Sequence, residues 1–201
     1  MGRESFNQFK RKISNLEEFS EGWRGKIYIG YLDGQKVAIK TPKSEEFINA
    51  INKEAEFLKI LNQHNIGSKL IYHGRDFFIY HFIEGKPLKQ VLSEENYKSI
   101  IYQLLQQGRI LDRLKISKDE MHRPHTNVLV DKKGKVYLID FERAKYSEKP
   151  QNITQILQFI LSISNKYFPF IEREELIKLA KEYKREQTEE RFFNILKYLN
   201  L

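Results

Sequence analysis

The sequence predicts an α+β fold with a β-rich amino-terminal part and a mainly helical carboxy-terminal part. Strand-like segments flank an Asp-Gly pair early in the chain, and helical periods dominate after Gly85. No internal repeat or low-complexity linker is present. With 201 residues, the chain fits one compact domain or two small lobes that share a core. We therefore predict a first lobe over residues 1–84 and a second over residues 85–201.

The first lobe is predicted to contain a hairpin, an amphipathic helix and a buried strand. Lys26–Leu32 and Gln35–Lys40 are rich in β-branched and aromatic residues and flank Asp33-Gly34, a strong signal for a two-residue turn. Apolar residues recur at helical spacing over Ser44–Asn62. Phe77–Ile83 is a continuous apolar run whose length favours a strand over a helix.

The second lobe is predicted to hold one further hairpin among several helices. Its two strands are Val128–Val130 and Val136–Ile139. Apolar stripes at helical spacing predict helices over Leu88–Leu92, Tyr97–Leu114, Asn152–Ser164, Ile171–Arg185 and Glu189–Leu199.

Composition excludes several classes of protein. The absence of cysteine excludes disulfides, thiolate metal sites, cysteine nucleophiles and iron–sulfur clusters, and favours a reducing compartment such as the cytoplasm. The sequence shows neither a signal peptide nor the roughly 20 apolar residues that span a bilayer, so we expect a soluble cytoplasmic protein without membrane contact. The net charge of +8 attracts phosphates, RNA or acidic surfaces. Because the basic residues are spread along the chain, no dedicated DNA-binding tail is expected.

Lys40 and Glu54 form the first candidate pair. The strand period of two puts Ala38 and Lys40 on one face. Glu54 lies in the middle of the apolar stripe of the following helix, where an unpaired buried charge would cost roughly 3–5 kcal/mol. Lys40 is the natural cationic partner. The alternative is that Glu54 reaches solvent at the rim of the helix and forms no pair.

Two further sets of residues are compatible with phosphate chemistry. Asn127 precedes the first strand of the second hairpin and Asp140 follows the other strand, so antiparallel pairing makes them neighbours. Their oxygens could hold Mg²⁺ or merely cap loop ends. Gly22 and Gly25 precede the first hairpin, where they allow backbone amides to approach phosphates or only shape a turn.

Taken together, the order of these motifs along the chain resembles that of the protein-kinase superfamily. The matching motifs lie between Ser20 and about Ala144 and are Gly22-x-x-Gly25, Val37-Ala38-Ile39-Lys40, Glu54, a hinge over His81–Gly85, Asn127 and Asp140-Phe141-Glu142. More closely, the chain looks like the small, atypical archaeal predicted serine/threonine kinases, relatives of the RIO kinases and of the kinase in the tRNA threonylcarbamoylation complex. The resemblance implies a bilobal protein-kinase-like fold with a β-rich N-lobe and a reduced, mainly helical C-lobe.

The resemblance also implies cofactors and site residues. Lys40 would hold the α- and β-phosphates of ATP while Glu54 orients it, and Asn127 and Asp140 would hold Mg²⁺. The glycine loop with Gly22 and Gly25 would lie over the phosphates.

The adenine pocket follows from the same resemblance. Ala38 would leave space for the base, Tyr80 would lie at the back of the pocket, and the backbone of His81 and Ile83 would hydrogen-bond the adenine edge.

The catalytic loop departs from the family pattern. At the family's spacing before Asn127, the position of the catalytic Asp is held by His122. Aligned instead from the preceding helix, Glu120 takes the place of that Asp in a longer loop, and we favour it as the catalytic carboxylate. Asp119 is the alternative. His122 and His125 could also exchange protons near neutral pH.

Other departures affect the substrate. Ser20 replaces the first glycine of the phosphate loop, and Glu142 stands where the family has glycine. Only about a dozen residues separate Asp140 from the helix that begins near Asn152, which leaves no room for a long activation segment. A protein substrate would then be held differently, and we expect either autophosphorylation or a substrate held by a partner.

These observations predict an ATP- and Mg²⁺-dependent phosphotransferase of the atypical serine/threonine kinase type, acting on a protein hydroxyl or on itself. The sequence is also compatible with three alternatives. The first is a small-molecule kinase like the aminoglycoside and choline kinases. The second is a nucleotide-binding pseudokinase or basic scaffold that contacts RNA or a ribonucleoprotein. The third is an α+β domain that binds no nucleotide.

Overall fold

The computed structural model describes residues 3–201 and divides into two compact units. The first unit holds the described residues up to Glu84 together with Ile139–Glu142, and the second holds Gly85–Leu138 and Arg143–Leu201. Of residues 3–201, 43% are helical and 23% are in strands, with the main sheet in the amino-terminal part and helices in the carboxy-terminal part. The α+β class predicted from the sequence is therefore confirmed. The prediction assigned residues 139–142 to the second lobe, whereas the structure packs them with the first unit.

The first unit is built on a five-stranded antiparallel sheet with the strand order β1-β2-β3-β5-β4. The strands are β1 (Ser14–Glu21), β2 (Gly25–Leu32), β3 (Gln35–Pro42), β4 (Leu70–His73) and β5 (Phe78–His81). Two α-helices accompany the sheet, α1 (Phe6–Phe9) and α2 (Ile48–Asn62), with 3₁₀ turns at Lys10–Lys12 and Glu45–Phe47. Helix α2 packs against β3, β4 and β5.

The predicted hairpin between β2 and β3 is present with a two-residue loop. Leu32 pairs with Gln35. The two residues between them, Asp33 and Gly34, have φ angles of 50° and 78°, as a type I′ turn requires. This turn sets the register of the whole hairpin, and hence the face on which each side chain of β3 lies.

Alternation along β3 gives its two faces different partners. Val37 and Ile39 join a buried apolar cluster on one face. The other members of this cluster are Phe9, Ile13, Phe77 and Ile79. Lys40 lies on the other face, where it meets Glu54 of α2. The sheet therefore has an apolar cluster on one face, and on the other face a layer with α2 that is mainly apolar but contains the Lys40–Glu54 pair.

The second unit is mainly helical. Its helices are α3 (Leu88–Val91), α4 (Tyr97–Arg113), α5 (Asn152–Tyr167), α6 (Arg173–Arg185) and α7 (Glu189–Tyr198). Its strands are β6 (Gly85–Pro87), β7 (Ile116–Ser117), β8 (Val128–Asp131), β9 (Val136–Leu138) and β10 (Lys145–Tyr146). They form a sheet of order β6-β8-β9 and a two-stranded β7-β10 ladder. Helix α4 packs against α5, α5 packs against α6, and α6 packs against α7.

Each predicted helix and strand has a counterpart, and the bounds differ by a few residues. The main omission from the prediction is β1, whose eight residues lie at the sheet edge and are largely exposed. An exposed edge strand needs no alternation of apolar side chains, so its sequence carries little strand signal. None of the helices between Arg3 and Leu201 is long and apolar enough to cross a membrane.

A buried hydrogen-bond network joins α4, α5 and α6. Asp112 Oδ1 accepts from the backbone and side-chain amides of Asn152 at 3.0 and 2.8 Å, and its Oδ2 accepts from Tyr183 Oη at 2.9 Å and from the Ile153 amide at 3.3 Å. Arg109 Nη1 donates to Tyr183 Oη at 3.0 Å. Burial raises the pKa of Asp112, and the bonds from Asn152 and Tyr183 oppose that rise. Asp112 therefore caps the start of α5 from within the core.

We expect Asp112→Ala to lower the free energy of unfolding by about 2–4 kcal/mol, because it leaves buried donors of α5 and Tyr183 without an acceptor. Urea denaturation monitored by circular dichroism measures this loss. The matched control is Glu175→Ala, which removes a carboxylate from an i,i+3 surface pair with Lys178 on α6 and should cost less than about 1 kcal/mol. Equal effects of the two substitutions would contradict the assigned role of Asp112.

Candidate functional site

A buried ion pair lies at the centre of the candidate site in the first unit. Strand β3 positions Lys40 and helix α2 positions Glu54, and Lys40 Nζ donates to Glu54 Oε2 at 2.6 Å. The two side chains are 9% and 7% exposed. The predicted pair is therefore confirmed, and the alternative in which Glu54 reaches solvent at the rim is wrong.

Two more carboxylates lie beside the same amine. Asp140 Oδ1 is 3.7 Å and Glu142 Oε2 is 3.6 Å from Lys40 Nζ. Asp140 is 45% exposed, whereas Glu142 is 13% exposed. Glu54, Asp140 and Glu142 each place a carboxylate oxygen within 4.8 Å of the others. With every group ionised, three carboxylates surround one ammonium, and the cluster carries excess negative charge.

The charges in this cluster depend on one another. Burial by itself would lower the pKa of Lys40, but the adjacent Glu54 and Asp140 carboxylates outweigh burial and raise that pKa above its usual value. Burial raises the pKa of Glu54, while Lys40 opposes the rise. Lys40 is thus held as an ammonium ion throughout the neutral pH range.

The segment that carries Asp140 is held by contacts within the first unit. Phe141 is buried, and its backbone N–H donates to Glu54 Oε1 at 3.2 Å. Glu54 therefore uses one oxygen for Lys40 and the other for this segment. Arg24 Nη1 donates to the Glu142 carbonyl at 3.5 Å. These contacts support Asp140 at a φ of 61°, a left-handed conformation that is unfavourable for most residues other than glycine.

The turn before β2 comes close to Lys40. The Gly22 amide donates to the Gly25 carbonyl at 2.8 Å and closes the turn. A Cβ atom on Gly25 would lie 2.8 Å from the Thr41 carbonyl oxygen and 3.3 Å from Lys40 Cε, whereas one on Gly22 would meet its nearest atom at 3.7 Å. Gly25 therefore permits the close approach of β2 to β3. At position 22, by contrast, there is room for a side-chain Cβ atom.

The predicted adenine-pocket residues lie on β3, on β5 and just after β5. Ala38 is buried and pairs in register with Tyr80. Burial raises the pKa of Tyr80. The His81 amide donates to the Lys69 carbonyl at 2.9 Å, and the His81 carbonyl accepts from the Ser68 hydroxyl. The amide of His81 is therefore already used, while its carbonyl keeps a second lone pair. Ile83 is half-buried in the segment that follows β5.

Glu120 is the centre of a second polar cluster, in the second unit. Its Oε2 accepts from Asn127 Nδ2 at 3.1 Å, and its Oε1 accepts from Arg143 Nη1 at 3.0 Å. Glu120 has a φ of 68°, again in the left-handed region. Asp119 is half-buried, and His122 and His125 are exposed. Glu120 is thus the carboxylate that is bonded to the predicted metal ligand Asn127.

The predicted residues fall into two sets. Lys40, Glu54 and Asp140 come together in the first unit, and Glu120 and Asn127 come together in the second. In the β8-β9 hairpin Val128 pairs with Leu138, after which residues 139–142 belong to the first unit.

Sequence reasoning assigned no site role to three residues that contact these sets. They are Arg24, Glu142 and Arg143. Glu142 was noted only as a departure from the family pattern, although its position two residues after Asp140 could have indicated a further carboxylate near Lys40. No sequence signal marked the two arginines.

The geometry supports distinct chemistry at the two clusters. A protonated lysine among carboxylates provides both a cation for phosphate oxygens and oxygen ligands for a hard divalent cation. An exposed, oriented carboxylate can accept a proton from a hydroxyl group. Comparisons with protein-family models and with curated proteins gave no match.

We expect Gly25→Ala to lower the free energy of unfolding by about 1–3 kcal/mol, because the new methyl group would overlap the backbone of β3. Gly22→Ala is the matched control and should change this quantity by less than about 1 kcal/mol. Thermal and urea unfolding of the two variants measures the difference. Equal stability of the two would show that β2 and β3 do not require close packing at Gly25.

Proposed function

We propose that the protein is an ATP- and Mg²⁺-dependent phosphotransferase, an atypical serine/threonine kinase that transfers the γ-phosphate to a protein hydroxyl. The main support is the buried Lys40–Glu54 pair with Asp140 and Glu142 within 3.7 Å of the lysine amine. A lysine kept protonated in a fixed position is suited to bind phosphate oxygens. The proposal includes a bilobal protein-kinase-like fold and kinship with the small atypical archaeal kinases.

The donor set beside Lys40 fits Mg²⁺. This ion prefers oxygen ligands and is commonly bound through one or two carboxylates together with substrate phosphates. Asp140 is the exposed carboxylate of the cluster, and we assign it and Asn127 as the protein ligands. When bound, Mg²⁺ supplies neutralisation of the phosphate charge.

Lys40 would bind the α- and β-phosphate oxygens. Glu54 orients its amine, because the Glu54 carboxylate is itself tied to the Phe141 amide and cannot swing freely. The turn containing Gly22 and Gly25 lies close to Lys40 and would present backbone to the phosphates.

The nucleotide base would lie near Ala38, whose small side chain takes little space. In this proposal Tyr80 closes the pocket, and the His81 carbonyl and the Ile83 backbone bond the adenine edge. The free lone pair of the His81 carbonyl supports its part of this role.

Glu120 would act on the acceptor. As the acceptor oxygen bonds to the γ-phosphorus, the bond from that phosphorus to the β,γ-bridging oxygen breaks, ADP leaves, and Glu120 accepts the hydroxyl proton. Asn127 and Arg143 hold the two oxygens of Glu120. The segment between Asp140 and α5 is short, so the acceptor is a residue of this chain or a protein held by another surface.

We expect purified protein to incorporate label from γ-labelled ATP with Mg²⁺ into Ser or Thr, as located by mass spectrometry. Asp140→Ala and Lys40→Met should each lower the rate by at least about 100-fold, since each removes charge stabilisation of the transferred phosphoryl group. Glu120→Gln should lower the rate more than Asp119→Asn. Unfolding temperatures of all variants control for loss of fold.

Other results would separate the alternatives. Wild-type rates in Asp140→Ala would remove the assigned metal role. ATP binding without transfer to any acceptor would indicate a nucleotide-binding protein without turnover. Transfer to an alcohol in a metabolite panel, with no labelled protein, would indicate a small-molecule kinase.

We expect Glu142→Gln to raise the affinity for ATP in the absence of metal on the order of 10-fold, because it removes one negative charge beside the phosphate-binding amine. The gain should shrink when Mg²⁺ is present, since the cation offsets the same charge. Calorimetric titrations with Mg²⁺ and with a chelator measure both affinities. Glu56→Gln makes the same charge change on the exposed side of α2 and serves as the control. Equal metal-free affinities of the Glu142→Gln variant and wild type would show that Glu142 does not oppose the nucleotide.

A further inference from the structure

The loop that carries Glu120 is held on both sides by the first turn of α5. Asn152 Oδ1 accepts from the Lys118 amide at 2.9 Å, and Gln155 Oε1 accepts from the Met121 amide at 2.9 Å. These two amides flank the Asp119-Glu120 dipeptide. Two side chains one helical turn apart therefore hold the backbone on either side of this dipeptide.

Asn152 is fixed in one orientation by its surroundings. It is fully buried, and its Nδ2 donates to the Ile116 carbonyl at 2.7 Å and to Asp112 Oδ1 at 2.8 Å. Both N–H donors and the oxygen of the side-chain amide are used, so the bond to the Lys118 amide has a rigid base.

Other residues of the loop also pack near α5. Met121 is buried, and the ring of His125 packs edge-on against Phe159 at 5.6 Å. Glu120 between these contacts has a left-handed backbone with a φ of 68°. Such a conformation persists in a residue other than glycine only when its surroundings impose it. The bonds at the Lys118 and Met121 amides lie on either side of Glu120, and its own carbonyl accepts from the Arg123 amide at 2.9 Å.

We propose that Gln155 is a positioning residue that sets the carboxylate of Glu120 for proton acceptance from the acceptor hydroxyl. This inference rests on the proposed function of Glu120. Gln155 is assigned no contact with substrate and acts through the backbone of the loop, at the Met121 amide.

Gln155 offers the sharper test, because it is only half-buried and its substitution should leave the fold intact. Gln155→Met keeps the length of the side chain and removes the acceptor, and Gln155→Glu keeps an acceptor. Gln158→Met makes the same change at an exposed position of the same helix and is the control. The sequence has two methionines, so the Met121 amide can be observed with [¹⁵N]methionine labelling and assigned with Met121→Leu.

We expect Gln155→Met to lower the hydrogen-exchange protection of the Met121 amide by at least about 10-fold, since the bonded acceptor is lost. The kcat for phosphate transfer should fall by about 10-fold or more with the KM for ATP nearly unchanged, because small misplacements of a catalytic group are costly. Because Gln155→Glu keeps an acceptor, it should leave both the Met121 protection and kcat near their wild-type values. Gln158→Met should change neither quantity.

Unchanged protection of Met121 in Gln155→Met would overturn the inference, as would lost protection with an unchanged kcat. A merely structural role would lower the unfolding temperature without separating kcat from KM and without rescue by Gln155→Glu. Failure of the wild-type protein to transfer phosphate would count against the proposed function, and the exchange experiment would still decide whether Gln155 holds the loop.

Discussion

The buried ion pair between Lys40 and Glu54 is the interaction on which the candidate site depends. A lysine and a glutamate with less than a tenth of their side chains exposed have lost nearly all contact with water. Each is tolerable only because the other is 2.6 Å away, and because Glu54 also accepts from the Phe141 amide. The pair therefore fixes the amine of Lys40 and at the same time ties residues 139–142 to the sheet of the first unit.

The charges around this pair make the site favour cations over anions. Asp140 and Glu142 add two carboxylates beside a lysine that can balance one. Such an arrangement favours cations and opposes anions until a cation is bound. A phosphate-containing substrate would accordingly be accepted as its magnesium complex, which links the unusual Glu142 to the metal dependence that we propose.

In the second unit, hydrogen bonds hold a loop in place, whereas in the first unit an ion pair holds a charged side chain. Asp112 caps α5, Asn152 and Gln155 at the start of α5 hold the loop amides, and the loop presents Glu120 to Asn127 and Arg143. The bonds of Asp112 and Asn152 satisfy polar groups buried in the core, whereas the bonds from Asn127 and Arg143 to Glu120 are exposed to solvent. The polar side chains at the start of α5 thus bond to the backbone of the loop that carries Glu120, and this contact is the basis of the positioning role that we propose.

The sequence by itself determined the α+β class, the Asp33-Gly34 hairpin and the Lys40–Glu54 pair, because strand and helix periods assign faces and a buried carboxylate demands a cation. It did not reveal β1, since an exposed edge strand carries no apolar alternation. Only the tertiary structure decided that Glu142 joins Lys40, that Arg143 and Asn127 bind Glu120, and that residues 139–142 pack with the first unit. Apart from the bond between Glu120 and Asn127, which are seven positions apart, these contacts join residues far apart in the chain. Local periodicity holds no information about which distant side chains meet.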